Sequence, residues 1–135
     1  MKILIMGLPN SGKTTLAKEL VKILDDVEWF NADEIRKQYN DWDFSEQGRM
    51  RQCHRMKQLA DNSKANYVIC DFVAPTKDIR KYFKADLIVF MDTIDRCEYE
   101  NTNLIFEKPR DFAVRVDSNH AVYWSQQVKR QIINR

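Results

Sequence analysis

Gly7-Leu8-Pro9-Asn10-Ser11-Gly12-Lys13-Thr14 places two glycines, a lysine and a hydroxyl at the spacing G-x-x-x-x-G-K-[ST]. The chemistry of that pattern is anion binding. Glycines let successive backbone N–H groups curl around a phosphate, and the positive end of a following helix adds to the attraction. Lys13 reaches the outer phosphates, while the Thr14 hydroxyl suits a magnesium ion that arrives with them. Thr15, the next residue, completes the set of phosphate-contacting positions. Glycine is scarce in this chain, with three in all, and two of the three stand in this loop. A glycine-rich turn carrying an incidental lysine is the bland alternative, and the loop's position between a strand and a helix argues against it.

The flanking elements follow from periodicity. Lys2 to Met6 is a short apolar run closed by a glycine, which reads as a buried strand. Leu16, Leu20, Ile23 and Leu24 recur at helical spacing between Lys13 and Asp25. Val27 to Phe30 reads as a second strand, followed by Asn31 and a short helix opening near Asp33. Ser45 is a good N-cap for a helix running to Asn62. Asn66 to Cys70 and Asp86 to Met91 are near-continuous apolar runs of the parallel-sheet type, each followed by an aspartate. Pro75 to Lys84 reads as a helix. Phe112, Val114 and Val116 alternate as a fifth strand, and Ser118 to Ile133 closes the chain as a helix with Ala121, Trp124, Val128 and Ile132 inward. Strands alternating with helices predict a three-layer α/β/α fold of the P-loop NTPase class around a five-stranded, mostly parallel sheet. Asn101 to Arg110 carries weak structural signal and reads as a short, mobile lid.

In such a sheet ligands meet the carboxyl ends of the strands, so Asn31 to Arg36, Asp71 to Pro75, and Asp92 join the glycine loop as site candidates. Asp33 is the candidate to orient an acceptor hydroxyl. Asp71 is either a second magnesium ligand or a helix cap, and Asp92 reads as closing its strand. Arg36 lies one helical turn from Asp33 and shares its face. On the helix after Ser45, Arg49 and Gln52 share the buried side with Cys53, Met56, Leu59 and Ala60, an odd place for polar groups unless something polar meets them. For both arginines a surface salt bridge is the bland alternative. Phe44, just before the helix cap, is placed to pack as a hydrophobic staple.

Composition bounds the answer. A chain of 135 residues reads as one domain, 1–135, and its net charge of +2 does not demand a nucleic-acid partner. Hydrophobic residues at 44% and charged residues at 31% exclude disordered and collagen-like classes. Three widely spaced cysteines, Cys53, Cys70 and Cys97, argue for reduced thiols and a cytoplasmic setting. The apolar run Ile3 to Met6 is too short for a signal peptide or membrane span.

With these residues in order, the chain resembles adenylylsulfate kinases, P-loop enzymes that move the γ-phosphate of ATP to the 3′-hydroxyl of adenosine 5′-phosphosulfate. The similarity covers about the first 110 residues, through GLPNSGKTTLA, NADEIR, NDWDFSEQGRMRQ, DFVAP, VFMDT and the weaker FEKP. The resemblance implies ATP and Mg2+ as cofactors, Asp33 as base and metal-binding aspartate, and Arg36 as a contact to the sulfonucleotide. It places Asn40, Phe44, Arg49 and Gln52 near the substrate, with the aromatic ring on adenine. It also sets Phe72, Val73 and Pro75 in the pocket wall and Lys108 in the lid. The chain departs from the family at Asn31 and Gly48, where aspartates are usual, at Arg51, where glutamate is, and at Asp71, where serine is. The lid motif is poorly kept, and the second face of the adenine clamp has no counterpart.

The leading expectation is therefore an ATP-dependent kinase of this type with a small-molecule acceptor of the sulfonucleotide kind; a homodimer is one assembly open to it, and the sequence does not give the oligomeric state. A kinase for another hydroxyl, on a modified nucleotide, a sugar or a polynucleotide end, competes with it. Arg49, Arg51, His54, Arg55 and Lys57 would serve the polynucleotide case, though they spread around their helix rather than forming a stripe. A nucleotide-binding module without turnover is the third reading.

Overall fold

In the computed structural model, which describes residues 1–134, strand β1 (Lys2–Gly7) lies at the centre of the sheet. Ile3, Leu4, Ile5 and Met6 are all fully buried, because the strand has a helical layer on each face. The period-two alternation divides its side chains between two cores. Ile3 and Ile5 join helix α1 (Lys13–Ile23) and helix α6 (Ala121–Ile133) through Leu16, Ala17, Leu20, Val128 and Ile132. Leu4 and Met6 face the other way, toward Ile35 of α2 (Ala32–Tyr39), Cys53 and Met56 of α3 (Glu46–Asn62), and Ile79 and Phe83 of α4 (Lys77–Phe83).

The remaining strands are β2 (Val27–Asn31), β3 (Tyr67–Asp71), β4 (Leu87–Met91) and β5 (Val114–Val116). They order as β2-β3-β1-β4-β5, and every pairing is parallel. The sheet is thus wholly parallel rather than mostly so. Its chain crosses from one side of β1 to the other between β3 and β4, which opens a crevice at the carboxyl end of β1.

Ser45 caps α3 as its sequence predicts, accepting from the Gly48 N–H at 3.1 Å. Several boundaries differ from the sequence reading. β5 lacks Phe112, whose ring instead packs on Phe90 with centroids 6.1 Å apart. α4 starts at Lys77 because Thr76 caps it, and α6 starts at Ala121 rather than Ser118. Leu59, placed on the buried side of α3, is only half-buried. Residues 101–110, read as a short, mobile lid of weak structural signal, begin inside a short helix, α5 (Glu100–Ile105). Among the described residues no helix is long and apolar enough to cross a membrane, and Cys53, Cys70 and Cys97 are free thiols.

Candidate active site

The glycine loop leaves β1 at Gly7, whose φ of 152° and close approach to the Met91 carbonyl, 2.7 Å from where a Cβ would stand, admit no side chain. Asn10 adopts the left-handed conformation, and Gly12 at φ 99° takes the N-cap position of α1 with no side-chain cap. The first N–H groups of α1 are therefore left for an anion. Lys13 curls back on its own loop, donating from Nζ to the Leu8 and Gly7 carbonyls at 2.9 and 3.1 Å. Burial lowers its pKa to about 8, against the opposing pull of Asp71 and Asp33. The loop is braced from below by the Thr93 hydroxyl, which donates to the Ser11 carbonyl at 2.8 Å.

A cleft of about 890 Å³ runs from this loop across the strand ends. Pro9, Asn10, Gly12, Lys13, Thr14 and Thr15 line one end, and Asp33, Asp71, Phe72 and Val73 the middle. Arg36, Phe44, Arg49 and Gln52 line the other end, facing Pro75. Tertiary structure thus gathers most of the residues singled out from sequence. It leaves five outside the lining: Gly7, Leu8 and Ser11, which are buried within the loop, and Asn40 and Lys108. Asn40 is the left-handed C-cap of α2, its N–H turned to the Arg36 and Lys37 carbonyls. Lys108 stands 3.8 Å from Asp92 beside a separate small cavity that Leu8 also lines, away from the main cleft. Asp92 itself is tied to Arg115 Nε at 2.9 Å, as a strand-closing residue would be.

Arg36 is 4% exposed, and among the described residues it pairs with no carboxylate. Its Nη1 donates to the Asp41 and Asp43 carbonyls at 3.0 and 3.2 Å, and its guanidinium lies 4.3 Å from the Phe44 ring centroid. Arg49 donates to the Phe44 carbonyl at 2.8 Å and to Thr102 Oγ1 of α5 at 3.1 Å. Burial lowers the pKa of both guanidinium groups. They remain cations, however, because arginine does not deprotonate in proteins. The surface salt-bridge alternative fails for each, since both hold neutral oxygens and, among the described residues, neither pairs directly with a carboxylate. Gln52 explains its place on the buried side of α3 by donating to the Ala32 carbonyl at 2.9 Å.

The loop before α3 is held by charge. Arg51 and Arg55 both reach Asp41, at 2.8 and 2.7 Å, and Arg51 also reaches Asp43 at 3.0 Å. Those contacts hold the Asp41 carboxyl well below its usual range. Gly48 lets this loop press on α3, because a Cβ there would collide with the backbone of Asp43. The result presents Phe44 and Trp42, each 51% exposed, at the mouth of the cleft.

Asp71 is 2% exposed and accepts from the Trp29 indole N–H at 2.6 Å and from Asn31 Nδ2 at 3.1 Å. Burial raises its pKa while those two donors and Lys13 oppose the rise. Sequence reasoning missed Trp29, Trp42, Tyr99, Asn101 and Thr102 as cleft or site-supporting residues. No local pattern marks them, because Trp29 enters through strand register, Trp42 through the loop before α3, and Tyr99, Asn101 and Thr102 through the docking of α5.

The adenylylsulphate kinase family profile matches residues 1–116. The chain belongs to the adenylylsulphate kinase family. Membership makes it a P-loop phosphotransferase that uses ATP. Solved structures share the fold. An adenylylsulphate kinase of Mycobacterium tuberculosis, in complex with AMPPNP and APS, superposes at TM-score 0.77 with 18% identity over 98% of this chain and 96% of its own. The shikimate kinase of Aquifex aeolicus gives 0.71 with 17% identity over 99% and 97%, and a gluconokinase of Sinorhizobium meliloti 0.71 with 15% over 98% and 95%. No curated protein sequence matches the chain.

Proposed function

We propose that the chain transfers the γ-phosphate of ATP to the 3′-hydroxyl of adenosine 5′-phosphosulfate. The observation that carries this reading is the cleft itself, with a phosphate loop at one end and, at the other, two guanidinium groups without a direct carboxylate partner beside an exposed aromatic ring. An acceptor that is planar and anionic suits that second end.

In this reading the loop N–H groups and Lys13 hold the β- and γ-phosphates, and Thr14 and Thr15 stand at the start of α1 beside them. One exposed hydroxyl (Thr14) and two carboxylates (Asp33 and Asp71) are an oxygen donor set suited to a Mg2+ ion that takes its remaining ligands from phosphates and water. That ion supplies charge neutralisation at the phosphoryl oxygens. Asp33 lines the middle of the cleft, and its carboxylate has no hydrogen-bond partner among the described residues. It orients the acceptor hydroxyl and takes its proton as the new oxygen–phosphorus bond forms and the bond to ADP breaks. Arg36 and Arg49 hold the acceptor's anionic groups, with Phe44 on the base. Residues 1–135 act as one domain, and α5 closes as the lid through the Arg49–Thr102 contact.

The basic residues of α3 that would serve a polynucleotide are engaged internally. Arg51 and Arg55 pair with Asp41, Lys57 pairs with Asp61, and His54 Nδ1 lies 2.5 Å from the Tyr82 hydroxyl. That favours a small acceptor. A coupled assay of ADP release with ATP, Mg2+ and adenosine 5′-phosphosulfate tests the reading. Acceptor-dependent release is expected, with KM for the acceptor rising at least tenfold in Arg36→Ala and Arg49→Ala; no acceptor-dependent release would refute it.

A further inference from the structure

Asn31 performs two tasks whose chemical demands differ. As N-cap of α2 its Oδ1 accepts from the Glu34 N–H at 3.0 Å. Serine, threonine or aspartate would meet that demand as well. Its Nδ2 meanwhile donates toward both Asp71 oxygens at 3.1 Å and toward Thr14 Oγ1 at 3.2 Å. Aspartate has no proton to donate, and a serine or threonine hydroxyl has only one, so none of them can donate to Asp71 and Thr14 together. A helix N–H requires an acceptor and a carboxylate requires a donor, so the two neighbours also fix which way the amide lies.

The arrangement is set by the sheet. Parallel pairing of β2 with β3 brings Asn31 level with Asp71, and Trp29, two residues earlier on the same face, level with Ile69. The Trp29 indole reaches forward to the second side of the carboxylate at 2.6 Å. Thr14 belongs to α1, on a different element, and Asn31 is its link to the carboxylate. Accepting from Asn31 occupies one lone pair of Thr14 Oγ1 and turns its proton away, which leaves the other lone pair for a cation.

We infer that Asn31 is a positioning residue of the phosphate site, whose amide locks the Asp71 carboxylate and the Thr14 hydroxyl into one array that receives a nucleotide-bound divalent cation. The inference rests on the metal-nucleotide reading above. Outer partners of metal ligands characteristically govern metal affinity about 10–100-fold.

The test uses the full chain, ADP and Mn2+, with Asn31→Ser as the variant that keeps the cap and loses the bridge. Calorimetry measures ADP affinity with and without Mn2+, and the Trp29 indole N–H resonance, assigned through Trp29→Phe, reports the state of Asp71. Asn31→Ser is expected to bind metal-free ADP within twofold of the natural chain and to lose at least tenfold of the Mn2+ enhancement. Its Trp29 resonance should move in the absence of ligand. Because Asn31 and Asp71 act within one array, Asn31→Ser in an Asp71→Asn background should remove clearly less enhancement than it does in the natural chain. Full enhancement in Asn31→Ser, equal loss of metal-free ADP binding, or additive losses in the double variant would each overturn the inference. A natural chain that binds ADP without any Mn2+ enhancement would overturn the metal-nucleotide reading as well, a result visible before any variant is made.

Discussion

Raising the pH should release nucleotide through Lys13 alone. In the free chain burial holds the Lys13 ammonium at a pKa of about 8, well below the ordinary 10.5. A phosphate between the loop and Nζ requires the charged form, so the apparent Kd scales as one plus the ratio of neutral to charged lysine. That factor is about 1.1 at pH 7 and about 11 at pH 9, a tenfold loss of affinity worth about 1.4 kcal/mol. A lysine of ordinary pKa would change the affinity by only about 3% over the same range. Calorimetry of ADP binding in buffers of differing ionisation enthalpy measures both the affinity and the protons taken up. At pH 9 about 0.9 proton should enter with each nucleotide, because the bound phosphate restores the charge. Lys13→Arg, charged throughout, should bind with a flat profile. The stability of the free chain runs in the opposite sense. Its folded-state pKa lies below the unfolded value, so the unfolded chain holds more protons between about pH 8 and 10.5 and stability rises across that window. An ADP affinity that stays level from pH 7 to 9 with no proton uptake would refute the reasoning.

Three further outcomes follow from single contacts. Lys13→Ala should lower phosphoryl transfer by orders of magnitude with an unchanged circular dichroism spectrum, since the side chain holds only its own loop. Asp33→Asn should reduce kcat by roughly 10²–10⁴ while metal-free ADP affinity, measured by calorimetry, stays within about twofold, because Asp33 acts on the acceptor hydroxyl and the metal rather than on the phosphates directly. Gly48→Ala drives a methyl into the Asp43 backbone and should cost about 1–3 kcal/mol, read as a fall of roughly 5–10 °C in the thermal midpoint.

Sequence alone determined the parts whose physics is local. The glycine loop is legible because its conformation depends on the residues within it, Gly7 and Gly12 above all. The strands and helices are legible because burial on two faces or on one stripe imposes a period. Ser45 was readable as a cap, and the polar pair Arg49 and Gln52 as an anomaly on a buried face. Tertiary structure decided what those residues meet. Lys108 leaves the main cleft for Asp92, and Asn40 is used as a helix stop. Arg36 and Arg49 end on neutral carbonyls and a hydroxyl rather than on carboxylates, which keeps their charge for a ligand. The union of Asn31, Asp71, Trp29 and Thr14 depends on the register between β2 and β3 and on the docking of α1, and a one-residue slip would undo it. The departed positions of the family pattern, Asn31, Gly48, Arg51 and Asp71, find their partners only there, because a hydrogen bond is decided by distance in space and the chain order carries none of it.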